Sequence, residues 1–223
     1  MKPFARILTF TLVLCLLLGG TALAQTAEFA AETEPLPGME DVSPDDWFYY
    51  HITRGFQFKL IGGVQTDGFR FEPHRNATRA EFITMLGRLH EYEGEPEGLS
   101  EDKAFYARHL AWAAENGILQ GDSGADLMPH APITREQMAV IIARYIAAYA
   151  LQGQFADIFT PAAAFNDWAD CSDWALQSVV AMWNYKLMHG TGFARDFRFR
   201  PLDSSSRAEA LAVLVRLGDA IYD

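Results

Sequence analysis

The chain has 223 residues, half of them apolar, with 29 acidic against 18 basic side chains and a formal net charge of −11. That balance makes the chain a poor candidate for nucleic acid or an anionic membrane surface, because both rely on basic patches that displace counterions. A chain of this length and apolar content can bury a substantial core without help from disulfides.

Met1 to Ala24 carries Lys2 and Arg6, an apolar run from Ile7 to Leu18 and the small-residue ending Ala22-Leu23-Ala24. This is the layout of a secretory signal peptide over residues 1–24. The run is about a dozen residues, short of the roughly 20 that span a bilayer, so it predicts a removed leader and no membrane insertion after cleavage. Leu12-Val13-Leu14-Cys15 places a bulky Leu14 where a lipoprotein cleavage box needs a small residue. Cleavage after Ala24 leaves 16 basic residues against 29 acids, a net charge of −13, and Cys171 as the one remaining cysteine. Export permits disulfides, but a single cysteine cannot form one within the chain. Residues 25–38, rich in Ala, Glu and Thr with Pro35 and Pro37 near the end, read as a solvated tether.

Beyond the tether one short stretch occurs three times: Thr78-Arg79-Ala80-Glu81, Thr134-Arg135-Glu136-Gln137 and Ser206-Arg207-Ala208-Glu209. Each is a capping-box pattern, a hydroxyl followed three residues later by an acid or amide, and predicts a helix start. A proline stands six residues before each arginine (Pro73, Pro129, Pro201), and a second arginine stands nine residues after it (Arg88, Arg144, Arg216). Behind the caps, apolar residues recur at helical intervals: Phe82, Met85, Leu86, Leu89; Met138, Ile141, Ile142, Tyr145; and Ala210, Val213, Leu214, Leu217. Each capped helix is expected to bury one face. Upstream, offsets from a leading aromatic (Trp47, Phe105, Trp174) align Ile52, Leu110 and Val179, then Leu60, Ile118 and Leu187, then Gly63, Gly121 and Gly190. This spacing predicts a first helix of about four turns, ending near a glycine of positive φ.

The organisation is therefore three helix-loop-helix units, at residues 39–95, 96–150 and 151–223, the last beginning with a connector of little periodicity. No helix pair can bury its apolar face alone, so the units are expected to pack around one core as a mainly α domain of approximate threefold symmetry.

Glu40-Asp41-Val42, Trp47, Gly63, Phe71-x-Pro73 and Thr78-Arg79-Ala80-Glu81 resemble an S-layer homology motif, and the other two units match the same frame less completely. The resemblance covers nearly all of the chain beyond the leader. It implies a pseudo-threefold prism of three tandem motifs that binds secondary cell-wall polysaccharide non-covalently in grooves between motifs. Carried over by position, the groove residues are Thr78, Arg79, Trp47 and Gly63; Thr134, Arg135 and Gly121; and Ser206, Arg207, Trp174 and Gly190. The second unit departs most, with Phe105 for the tryptophan and Gln137 for the acid.

Physical chemistry gives these residues two readings. A helix N-terminus attracts anions, and an arginine at its first position can hold a carboxylate through two hydrogen bonds, so each cap is a candidate anion seat. The wall polymers implied by the resemblance carry acidic substituents, often a pyruvate ketal. Equally, each arginine could pair with an acid of the next unit, such as Asp41, Asp45, Asp167 or Asp173, and close the prism. The leading aromatics could form sugar platforms or core, and Arg88, Arg144 and Arg216 are expected to be solvated or to pair between units.

Other chemistry is thin. The histidines lack metal-ligand spacing, and Cys171 lies among acids that would raise its pKa. Asp122-Ser123-Gly124-Ala125-Asp126 lacks the alternating acids and closing glutamate of an EF-hand, and no nucleophile elbow or phosphate loop occurs. The expectation is a non-enzymatic module at the bacterial cell surface that needs neither metal nor cofactor and holds an exported protein on wall polysaccharide. The alternative is an exported scaffold or surface-layer assembly subunit that binds a protein and uses its arginines structurally.

Overall fold

The computed structural model describes residues 39–61, 64–66, 68–91, 106–120, 127–154, 165–192 and 196–222. The leader of residues 1–24, the tether, Gly63, Phe105, Gly121 and the 122–126 stretch lie outside them. Six α-helices occur among the described residues: α1 Tyr49–Gln57, α2 Arg79–His90, α3 Ala107–Glu115, α4 Arg135–Ala148, α5 Leu176–Asn184 and α6 Arg207–Tyr222. The mainly α expectation is met. One local departure is an antiparallel pair, β1 Val64–Thr66 and β2 Gly68–Arg70, in register Val64 to Arg70, where the sequence suggested only a loop.

The even-numbered helices begin where the capping boxes predict. Thr78 Oγ accepts from the Glu81 N–H (3.2 Å), and Glu81 accepts in return from the Thr78 N–H (2.8 Å). Thr134 with Gln137 and Ser206 with Glu209 repeat the exchange. All twelve apolar positions read behind the caps are buried. Burial goes well beyond one face, however: α2 buries nine of its twelve residues, while α1 buries only Ile52, Thr53 and Gly55. The capped helices are inner elements and the odd-numbered helices shield them. Pairing is cyclic, with α2 on α3, α4 on α5 and α6 back on α1, so each capped helix packs against the first helix of the next unit.

The first helices run nine residues each, two and a half turns and not four. They stop early because the residue twelve beyond the leading aromatic turns left-handed: Lys59 (φ 57°), Gly117 (φ 69°) and Lys186 (φ 57°). Of the recurring glycines four residues later, Gly190 is the one described, and it serves another purpose. Gly190 does not take positive φ, and a Cβ there would stand 2.7 Å from the Phe197 ring and 2.8 Å from the Arg198 carbonyl oxygen. Its place demands closeness, not an unusual turn.

The three units meet at the residues just before the caps. Ala77 N–H donates to Ser205 O (2.9 Å), Ser205 N–H to Ile133 O (3.0 Å) and Ile133 N–H to Ala77 O (2.9 Å). These three hydrogen bonds form a closed triangle about the approximate threefold axis, with all three residues fully buried. Because closure couples every unit to both others, the domain should unfold as one. Phe82→Ala, at a fully buried position of α2, is expected to cost about 3–5 kcal/mol. Urea titrations of the variant should show helical circular dichroism and tryptophan fluorescence falling in a single coincident transition.

Candidate functional site: the clefts between units

The first four N–H groups of a helix have no partner within it. Here every one is satisfied by the protein. In α2, the cap and third-position N–H groups belong to the capping box, Arg79 N–H donates to Ala131 O (3.0 Å) and Ala80 N–H to Pro129 O (2.9 Å). Arg135 and Glu136 donate likewise to Asp203 and Pro201, and Arg207 and Ala208 to Arg75 and Pro73. The helix starts expected as anion seats therefore lack N–H groups to offer. The recurring prolines supply carbonyls for this interlock, each following a left-handed residue, Glu72 (φ 59°), Met128 (φ 42°) or Arg200 (φ 60°).

The arginine side chains extend the interlock. Arg79 Nε donates to Leu127 O (2.9 Å) and one Nη to Gln120 O (3.3 Å). Arg135 Nε donates to Phe199 O (2.7 Å) and an Nη to His189 O (2.6 Å). Arg207 Nε donates to Phe71 O (2.9 Å), and its Nη1 pairs with Glu81 Oε1 (2.7 Å). All three are buried. The partner carbonyls are themselves braced. Asp41 accepts from the N–H groups of Phe71 and Glu72 (2.9 and 2.7 Å), and Asp167 from those of Phe199 and Arg200 (2.8 and 2.6 Å). Both aspartates were candidates to pair with the cap arginines. They act one step removed, orienting the segment whose carbonyl the arginine grips. The Phe199 and Phe71 rings also lie over their guanidinium groups, 4.8 and 5.0 Å from the carbons.

The later arginines were expected to be solvated or to pair between units, and two of the three instead bond within their own unit. Arg88 donates to Leu60 O (3.0 Å) and Arg216 to Leu187 O (3.2 Å), each tying the end of the first helix to the second within one unit. Arg144, in contrast, borders open space.

That space is a hollow of about 420 Å³ between units, lined by Arg79, Leu119, Gln120, Gln137, Val140, Ile141, Arg144 and Trp174. It joins a buried arginine of the first unit to the capped helix of the second and the leading aromatic of the third. Trp174 and Trp47 are each 58% exposed, so these aromatics are surface features and not core. Of the residues singled out from the sequence, the hollow brings together Arg79 and Trp174. Thr78, Thr134 and Ser206 are occupied as caps, Arg135 and Arg207 lie in the two equivalent interlocks, and Gly190 packs beneath Phe197. Gly63 and Gly121 fall outside the described residues. Sequence reasoning missed Gln120 and Arg144 as lining residues. The shared spacing of Arg88, Arg144 and Arg216 was the available signal, but spacing does not tell which of three equivalent side chains meets open space.

Cys171 is buried, and its sulfur lies 3.9 Å from a carboxylate oxygen of Glu136. Burial first, then that carboxylate, push its thiol up to about 12, which makes it a poor nucleophile.

The family model of the S-layer homology domain matches residues 39–83 and 99–139. Two segments of the chain, one in the first unit and one in the second, thus match the S-layer homology domain. The third unit lies outside the matched residues and repeats the cap and interlock geometry of the other two. Among similar proteins, the amylopullulanase of Thermoanaerobacterium thermosulfurigenes is 32% identical over 153 residues, 66% of this chain and 8% of that protein. The endoglucanase of Bacillus sp. (strain KSM-635) is 27% identical over 97% of this chain and 22% of its own length. The surface-layer 125 kDa protein of Lysinibacillus sphaericus is 31% identical over 52% of this chain and 10% of its own. The chain thus spans less than a quarter of the length of each.

Two substitutions test the interlock. Burial alone would raise the Glu81 pKa, but hydrogen bonds from Arg75 and the Thr78 N–H, with the charges of Arg207 and Arg75, hold it below 4.5. A carboxylate depressed on folding stabilises above its unfolded pKa and loses that contribution as pH falls through the folded value. Glu81→Gln, which keeps a capping amide, should cost about 1–3 kcal/mol at pH 7, and urea midpoints should show the deficit closing below about pH 4.5. Gly190→Ala should cost about 1–3 kcal/mol by overpacking, measured by the same titration.

Proposed function

We propose that this chain is a non-covalent anchor that holds an exported protein or a surface layer on the bacterial cell wall by binding acidic wall polysaccharide in clefts between its units. The observation that carries this reading is the Arg79–Trp174 hollow. An exposed indole offers a flat apolar face to a sugar ring, while its polar edge stays in water. Two guanidinium groups, Arg79 from beneath and Arg144 from the wall, supply charge for a carboxylate. Gln120 and Gln137 add amides able to meet hydroxyls.

In this reading the cap hydroxyls Thr78, Thr134 and Ser206 and the arginines Arg79, Arg135 and Arg207 build the cleft floors, and ligand contact falls to the rims. Trp174 stands at the mouth of the described hollow, and Trp47, Gly63, Gly121 and Gly190 are assigned to the clefts by their matching places in the repeat. Wall polysaccharide is the partner, with a surface protein as a further one. Export through the leader of residues 1–24 fits this location. The net charge of −13 beyond the leader opposes long-range attraction to an anionic polymer, so affinity depends on short-range contacts that salt screens weakly.

Sedimentation with purified walls, before and after the polysaccharide is removed with hydrofluoric acid, tests the proposal. The chain should co-sediment with intact walls and not with stripped ones. Trp174→Ala should weaken intact-wall binding several-fold, matching the roughly 0.5–1.5 kcal/mol of an aromatic contact. Equal sedimentation with both wall preparations would instead favour the protein-binding scaffold.

A further inference from the structure

Just after the cap arginine the first and third units carry Ala80 and Ala208, and the second carries Glu136. Glu136 is 3% exposed. A carboxylate this deep must be met by hydrogen bonds, and its place in the first turn of α4 sets it in the positive field of the helix start. Its two oxygens leave their own unit and meet a single residue of the third. One accepts from the Ser172 N–H at 3.0 Å, the other from the Ser172 hydroxyl at 2.9 Å. The Glu136 N–H donates to Pro201 O, also in the third unit. Backbone and side chain of one residue thus fasten the second unit to the third at two points.

Ser172 stands two residues before Trp174, the exposed aromatic that lines the hollow. Ala175 N–H donates to Ser172 O (2.9 Å), closing the turn that leads into α5, so a fixed Ser172 fixes the turn that carries the indole. Cys171, buried against the same carboxylate, holds the chain on the other side. The turn before Trp47 is braced differently. There Asp46 accepts from the Ser43 N–H at 2.7 Å and the Asp45 N–H donates to the Ser43 hydroxyl at 3.3 Å, so the brace lies within the turn itself. A ring more than half exposed takes its direction from the backbone beneath it. Holding that backbone before a ligand arrives removes part of the ordering cost of binding.

Resting on the anchoring reading, we infer that Glu136 is the positioning residue of the Trp174 sugar platform: from the second unit it clamps Ser172 and holds the indole ready at the hollow. Glu136 is buried and acts only through Trp174. The position that is alanine in the other two units therefore makes this platform depend on the docking of the second unit against the third.

Full-length variants are compared by sedimentation with purified, polysaccharide-bearing walls and by the 15N–1H NOE of the indole N–H signals, which reports ps–ns order. The signals are assigned through Trp→Phe variants. Glu136→Ala should lower the NOE of the Trp174 indole, leave that of Trp47 unchanged, and weaken wall binding several-fold, to the level of Trp174→Ala. The double variant Glu136→Ala/Trp174→Ala should bind no worse than Trp174→Ala alone, whereas an unrelated structural loss would add to it. Glu136→Gln, whose amide oxygen can accept from the Ser172 N–H while its NH2 donates to the hydroxyl, should recover most of the binding. Ser172→Ala removes one arm of the clamp without touching α4 and should give the same pattern at smaller size, so it carries the test if urea titration shows Glu136→Ala to be unfolded. In a chain that binds walls, the inference is overturned if the folded clamp variants bind as the parent does, if their loss adds to that of Trp174→Ala, or if the Trp174 indole keeps its NOE. A chain whose wall binding depends on Trp174 but not on Glu136 loses this inference and keeps the anchoring reading. A chain that ignores the polysaccharide, yet whose Trp174 indole loses order in Glu136→Ala, loses the anchoring reading and keeps the clamp.

Discussion

Twelve backbone N–H groups decide this structure. Three helices start near one axis, each with four leading N–H groups that must find acceptors in a water-poor centre. The capping boxes satisfy half of them locally. The other half are satisfied only by carbonyls of the neighbouring unit, so the helices cannot be correctly capped until the ring is assembled. The buried arginines follow from the same constraint. A guanidinium with its Nε and an Nη on the carbonyls of the adjoining loop fixes the angle between units, and at Arg207 a glutamate completes it. Removing a buried donor of this kind strands its acceptors, which costs more than the bond itself is worth.

This accounting lets the structural role of the arginine and the recognition role proposed for it coexist at one position. The arginine spends much of its donor capacity inside the protein, yet in one cleft it still lines open space beside Trp174. A binding surface built this way is preorganised, since its cationic floor is held in place by the same hydrogen bonds that hold the fold. On the proposed reading, specificity would rest on side chains around the mouth of the hollow.

Much of the fold could be read from the chain because capping is local. Thr78 with Glu81, or Ser206 with Glu209, needs only three residues to declare a helix start, and the apolar intervals behind them declare what is buried. The interlock was less legible because its acceptors are carbonyls, which leave no trace in side-chain identity. That is why Arg79 and Arg135 read as free to bind anions, and why Asp41 and Asp167 read as salt-bridge partners when they brace backbone. The left-handed turn at Lys59 and Lys186 was likewise hidden, since lysine gives no warning of positive φ and attention fell on the glycine four residues beyond. At the candidate site, Trp174 and Arg79 were named from the sequence, but their meeting across the first and third units depends on the cyclic order of packing.

That cyclic order has a consequence for how such domains can change. In an open solenoid, repeats can be added or dropped at an end, because each contacts only its neighbours in line. Here α6 returns to α1, and the Ala77–Ser205–Ile133 triangle has three corners and no free side. A chain with two copies would strand the amides that its missing neighbour should receive, and a fourth copy would have no place at the axis. Adding or losing one unit would therefore break the ring in this chain, whereas a single position within a unit can change and leave it closed, as the neutral Gln137 in place of a charged cap residue illustrates.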